Sequence, residues 1–161
     1  MSQTAVEIDA PAPDFTLPAG GGRTVALRDL RGKTVVLYLY PKDDTSGCTK
    51  EAIGFSEKAA EFEAAGAVVL GLSKDPVASH DRFAAKHGLN LTLLSDETGE
   101  TVEAYGAWVE KSMYGRKYMG IDRSTFVIAP DGRIAKIFRK VKVPGHVDAV
   151  LQAVKALKTD A

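Results

Sequence analysis

A chain of 161 residues is long enough for one domain with a full hydrophobic core. Lys+Arg and Asp+Glu balance at 21 each, which excludes a global field suited to nucleic acid, a membrane surface or a strongly acidic partner. The single cysteine excludes an internal disulfide framework, a Cys-x-x-Cys redox pair and a multi-cysteine metal site.

Residues 1–13 are polar and punctuated by proline, the pattern of a loosely held arm without the basic and apolar regions of an export signal. No later run could span a bilayer, so a cytoplasmic protein in a reducing compartment is expected. Gly20-Gly21-Gly22 predicts a hairpin turn between Phe15-Thr16-Leu17 and Thr24-Val25-Ala26-Leu27. No helix signal follows it at once and no Lys-Ser/Thr pair ends it, so it does not read as a phosphate loop. Residues 34–40 and 67–73 are β-branched and nearly continuous in apolar character, as strands are when both faces are covered. Between them, residues 48–65 place Ala52, Phe55, Ala59 and Phe62 at helical spacing, giving one buried stripe. A helix from Pro76 to His87 carries a proline start and a Gly88 stop. A short strand at 91–94 and a helix near 101–105 follow, and 111–117 reads as a mobile loop. Strands at 125–129 and 134–138 flank the turn Pro130-Asp131-Gly132. The basic run 139–143 reads as a solvated strand end. The last helix, 145–158, gathers Val147, Val150, Leu151, Val154 and Leu157 on one face. This order predicts an α/β fold with a mixed central sheet and helices on both sides, in one domain over 4–158.

Three histidines are read as surface or cap residues: His80 and His87 on one helix, and His146 at the start of the last. No carboxylate or cysteine accompanies them at ligand spacing, so neither metal nor cofactor is expected. The chemistry concentrates instead in residues 40–50. An apolar strand stops at Pro41, turn and cap formers follow, and a helical pattern begins around Cys48. A cysteine in the first turn of a helix faces unpaired backbone N–H groups and the positive end of the dipole, and both favour thiolate over thiol.

Pro41-x-x-x-Thr45-x-x-Cys48 resembles the active-site pattern of the peroxiredoxins. The longer string Tyr-Pro-Lys-Asp-Asp-Thr-x-Gly-Cys-Thr-x-Glu, residues 40–51, is similar to the bacterioferritin-comigratory-protein (peroxiredoxin Q) branch. The likeness runs from Ala12-Pro13-Asp14-Phe15 to the final helix. It includes Gly120-Ile121-Asp122-Arg123-Ser124-Thr125-Phe126, similar to the stretch that carries the family's active-site arginine. The resemblance implies a thioredoxin-like fold with an N-terminal β-hairpin. It implies a thiol-dependent peroxidase that reduces hydrogen peroxide and organic hydroperoxides through a sulfenic acid on Cys48. In this reading Arg123 faces Cys48, and Pro41 shields the sulfur. Thr45 accepts from a helix-start N–H or donates its hydroxyl to the peroxide. Gly47 lets substrate approach the main chain, and Tyr40 completes the pocket.

The chain departs from many members of this branch by lacking a second cysteine. The positions where a resolving cysteine would stand are Ile53 and, in the following helix, near Ala84. No intramolecular disulfide can therefore form, and the sulfenic acid needs a partner from outside: a second chain through a Cys48–Cys48 bridge or, the favoured reading, thioredoxin, glutaredoxin or a small thiol acting on a monomer. The alternative is a non-enzymatic peroxide sensor or redox relay using the same cysteine.

Overall fold

Glycines 20–22 reverse the chain between β1 (Thr16–Ala19) and β2 (Arg23–Ala26), which pair antiparallel with Thr16 opposite Ala26. The structure, a computed structural model, describes residues 6–160, with the side chains of 158–160 left aside. The first residues of the expected arm and residue 4, the start of the expected domain, lie outside the described residues. What is described of that arm is not loose. Asp9 N–H donates to the Ile134 carbonyl at 2.7 Å, Ile134 N–H to Ala10 at 2.9 Å, and Ala12 N–H to Gly132 at 2.9 Å. Alternate backbone groups of the arm thus pair along a neighbouring strand, an interaction that a polar composition does not reveal.

β3 (Thr34–Leu39) is buried along its whole length. Its side chains alternate between two cores, as the two-residue period of a strand requires. Val35, Leu37 and Leu39 join Phe15, Val102 and Tyr105; Val36 and Tyr38 join Phe55, Phe62 and Val150. The chain then forms α1 (Ser46–Glu57) and α2 (Ala59–Ala64) in place of the single helix expected over 48–65. The helix begins two residues earlier than its apolar stripe and breaks at Lys58, where φ is −97° and ψ is 5°. Ala59 is consequently half-buried, whereas Ala52, Phe55 and Phe62 remain in the core.

β4 (Ala67–Ser73) runs parallel to β3, with Val69 opposite Val36. Tyr38 fits there because of Gly71: a Cβ on that glycine would lie 2.9 Å from the tyrosine hydroxyl. α3 (Val77–His87) starts after Pro76 and ends at Gly88 in the left-handed conformation, as the sequence predicts. β5 (Thr92–Ser95), parallel to β4, α4 (Glu100–Ala104), and the antiparallel pair β6 (Trp108–Met113) and β7 (Arg116–Ile121) follow. The mobile loop expected at 111–117 is therefore the end of a two-stranded hairpin. Its faces are mostly solvated, so no alternation of apolar and polar residues marks it in the sequence.

β8 (Ser124–Ile128) pairs antiparallel with β3, β9 (Ile134–Phe138) pairs antiparallel with β8, and α5 (His146–Asp160) closes the chain. The sheet order is β2-β1-β5-β4-β3-β8-β9, seven strands of mixed direction. The cores show which helices cover which face. α1, α2, α3 and α5 bury residues against one side, and α4 with the 105–107 segment covers the other. No helix among the described residues is long and apolar enough to cross a membrane.

Candidate active site

The C-terminal end of β3 delivers the chain through 41–45 into α1, and Cys48 sits in the first turn of that helix. Thr45 is the N-cap residue by backbone position, its carbonyl accepting from Thr49 N–H at 2.8 Å. Its hydroxyl does not cap the helix: it donates to the Lys42 carbonyl at 2.9 Å. The N–H groups of Ser46, Gly47 and Cys48 consequently have no acceptor within the helix. Cys48 beside them is 1% exposed.

Arg123 reaches the Cys48 sulfur from a segment distant in the chain, next to the strand that pairs with β3. It lies between β7 and β8, with Asp122 N–H donating to the Ala107 carbonyl at 2.7 Å and Val141 N–H to the Arg123 carbonyl at 3.0 Å. The backbone is thus fixed at the preceding residue and at Arg123's own carbonyl. Nη2 lies 3.3 Å from Cys48 Sγ and Nη1 lies 2.6 Å from Glu51 Oε1. The segment expected to be a solvated strand end helps to hold it. Arg139 donates to the Tyr105 and Gly106 carbonyls and lies over the Phe126 ring.

Gly47 lies against the arginine. A Cβ at this position would sit 3.3 Å from Arg123 Nη2, so its bare backbone makes room for the guanidinium as well as for any substrate. Tyr40 is buried, and its hydroxyl donates to Asp43 Oδ1 at 2.6 Å. That hydroxyl belongs to a polar cluster with Asp43 and His80. Pro41 follows the strand and is half-buried.

Several site residues escaped the sequence reading. Glu51 is fully buried, and its Oε2 has no hydrogen-bond partner. Burial pushes its carboxyl up to about 7, against the charge and hydrogen bond of Arg123. Arg123 itself loses by burial but gains more from Glu51 and Cys48, so its affinity for its proton rises above the ordinary value. The signal for Glu51 was its place in the apolar stripe with Cys48, Ala52 and Phe55, where a carboxylate is out of character.

The expectation of surface histidines fails at His80 and His146, both buried. His146 Nε2 lies 2.8 Å from Thr125 Oγ1 and 4.0 Å from Glu51 Oε2. Burial, and then the charge of Arg123, push it down to about 4, so it is neutral in this site at pH 7. His80 Nδ1 lies 2.7 Å from Asp43 Oδ2. The carboxylate partner is present, but it comes from a different element. Asp43, Asp75 and His80 bring three ligand-type atoms within 4.8 Å, yet these residues hydrogen-bond to one another, to Ser73 and to the Leu94 carbonyl.

A lone buried cysteine at a helix start, touched by an arginine brought from the connection between two strands, is an arrangement for nucleophilic sulfur chemistry. The AhpC/TSA family pattern matches residues 8–137. The chain is 45% identical over 156 residues to peroxiredoxin Bcp of Xanthomonas campestris, covering 97% of this chain and 98% of that one. The chain belongs to the AhpC/TSA family of peroxiredoxins. Peroxiredoxin Bcp of Bacillus subtilis is also 45% identical, over 150 residues, covering 93% of this chain and 96% of its relative. The bacterioferritin comigratory protein of X. campestris, solved in work on its alkyl peroxide reduction activity, superposes with a TM-score of 0.86 at 45% identity. That match covers 89% of this chain and 92% of the other. As a peroxiredoxin of thioredoxin-like fold, the protein is a thiol-dependent peroxidase, acting on a peroxide with a thiol reductant. The choice between enzyme and sensor falls to the enzyme.

Proposed function

We propose that Cys48 is the thiol that reacts with the peroxide and that the enzyme turns over by a one-cysteine mechanism, on hydrogen peroxide and organic hydroperoxides. The thiolate attacks the terminal oxygen of R–O–OH, the S–O bond forms as the O–O bond breaks, and the electron pair leaves on R–O⁻. The alkoxide takes a proton from water; sulfur is oxidised to the sulfenic acid and the peroxide is reduced to an alcohol. An external thiol then displaces hydroxide as water and forms a mixed disulfide. A second thiol equivalent frees Cys48.

The observation that carries this reading is Arg123 Nη2 at 3.3 Å from the only sulfur nucleophile of the chain. A guanidinium stays charged through the reaction and can keep one N–H on sulfur while another meets a peroxide oxygen. The N–H groups of Gly47 and Cys48 supply further donors where negative charge moves between the oxygens. Thr45 enters with a corrected polarity: its own hydrogen is committed to Lys42, so its oxygen is available to accept from the peroxide O–H. Pro41 shields the sulfur from water, and Tyr40 offers the pocket its ring, its hydroxyl being engaged elsewhere.

Residues 4–158 work as one domain in this reading, supported by the continuity of the seven-stranded sheet. Ile53 and Ala84 stand where relatives of this branch carry a resolving cysteine, so thioredoxin, glutaredoxin or a small thiol completes the cycle. A monomer in the cytoplasm fits the single reduced cysteine. The test is steady-state peroxide consumption with each reductant supplied in excess. Many turnovers per chain are expected, and Cys48→Ser is expected to abolish them. Residual turnover above about a tenth in that variant would overturn the assignment of Cys48.

A further inference from the structure

Two consecutive aspartates fasten the 41–45 loop to α3. Asp44, exposed and in the left-handed conformation at φ 61°, meets Lys86 Nζ at 2.7 Å and His87 Nε2 at 2.9 Å. Asp43 is buried and far more heavily engaged. Its Oδ1 accepts from Tyr40 Oη at 2.6 Å, and its Oδ2 accepts from Ser79 Oγ at 2.8 Å and faces His80 Nδ1 at 2.7 Å. Its backbone N–H donates to Asp75 Oδ2 at 2.8 Å, which Ser73 Oγ also holds.

The other ring nitrogen of His80, Nε2, lies 2.8 Å from the Leu94 carbonyl of β5. A carbonyl only accepts, so Nε2 carries hydrogen. Asp43 already receives the Tyr40 and Ser79 hydroxyls, which stabilise it as a carboxylate, so the hydrogen on the Nδ1 side belongs to the ring as well. We propose that His80 is a buried imidazolium, and that its ion pair with Asp43 positions the loop that presents Thr45 and Cys48 to the peroxide. This rests on the reading of Cys48 as the reacting thiol and extends it to positioning residues that never touch substrate.

The groups around the ring agree. Facing it are Asp43 from the loop, Tyr40 from the end of β3 with its hydroxyl 3.4 Å from Nδ1, Asp75 from the turn before α3, and the Leu94 carbonyl. Burial pushes His80 down, but the hydrogen bond and charge of Asp43, the Leu94 carbonyl and Asp75 outweigh it and hold it above the ordinary value of 6.5. Burial pushes Asp43 up, and the hydrogen bonds of His80, Tyr40 and Ser79 bring it below 3.8. The ion pair is therefore present between the depressed value of Asp43 and the raised value of His80, and is lost as pH rises through the latter.

The consequence is a limb of the pH profile that the sulfur does not generate. Peroxide oxidation of Cys48 declines on the alkaline side as the loop loses its anchor. Alkylation by iodoacetamide, which needs the sulfur but not the oriented loop, does not decline. The experiment combines two measurements on the full chain between pH 6 and 10. Nitrogen-15 shifts of the His80 ring in the wild-type protein are expected to show both nitrogens protonated at pH 7. Stopped-flow rates are expected to fall roughly tenfold for peroxide in Asp43→Asn, with alkylation changed less than twofold. His80→Gln is expected to lose the alkaline limb. An unprotonated His80 nitrogen at pH 7 would overturn the proposal, as would peroxide and alkylation rates that move together or a limb that persists in His80→Gln. Peroxide consumption surviving Cys48→Ser would instead overturn the assignment of the thiol, leaving the state of His80 to be read from its own shifts.

Discussion

Two buried carboxylates lie on either side of the turn into α1, each beside a basic side chain, and they are shifted in opposite directions from their ordinary values. Asp43 receives hydrogen bonds from Tyr40, Ser79 and His80 and is held below its ordinary value. Glu51 accepts from Arg123 alone, its second oxygen has no partner, and burial pushes it up to about 7. Burial and a neighbouring cation are common to both. The difference lies in the number of donors, which decides whether a desolvated carboxyl keeps its charge. The first arrangement is suited to holding a loop still. The second leaves a carboxyl near the sulfur that can change its charge around neutral pH.

The largest test of this contrast is Arg123→Ala, which takes from Glu51 its hydrogen-bond donor and from Cys48 its charged neighbour. Peroxide oxidation should slow by about 10²-fold, the scale for one preorganised donor. Stability in urea should drop by roughly 3 kcal/mol at pH 8, where Glu51 must take up a proton or stay charged without its partner, and by less at pH 5, where it is already protonated. A rate within threefold of wild type would show that the 3.3 Å contact with sulfur has no part in the reaction.

A smaller effect, but a change of sign, separates the two carboxylates by pH. Glu51 holds its proton more tightly folded than unfolded, from about 4.5 up to about 7. Its contribution to stability is therefore present at acid pH and lost as pH rises through 7. Glu51→Gln should gain on wild type between pH 5 and 8 by up to about 3 kcal/mol, before the loss of the charged partner of Arg123 is counted. Asp43, depressed below 3.8, contributes in the opposite sense: its stabilisation is present at neutral pH and lost on acidification through that depressed value. Asp43→Asn should be less stable than wild type at pH 7, the gap closing in acid. Parallel profiles for the two variants would contradict the donor-counting explanation.

What the sequence revealed follows the range of each interaction. The continuous apolar run of β3, the Pro76 start and Gly88 stop of α3 and the placing of Cys48 in a helix start are local patterns, and they are legible. The approach of Arg123 to Cys48 is long-range, and only family resemblance exposed it. The Asp43–His80 pair joins a loop to a helix across β4, and nothing local marks either residue as buried. Glu51 is the intermediate case, written into its stripe but readable only once a carboxylate in an apolar row is treated as a signal. The break at Lys58 and the pairing of residues 9–12 with β9 depend on tertiary contacts and leave no periodicity.

The central claim is that Cys48 alone receives the peroxide oxygen and that nothing else in the chain can resolve it. One equivalent of hydrogen peroxide on the fully reduced protein, followed at once by dimedone and intact-mass analysis, tests it directly. The expected result is a single dimedone adduct mapped to Cys48 on a monomeric chain. Consumption of the peroxide without an adduct, or rapid and quantitative conversion to a disulfide-linked dimer, would contradict it.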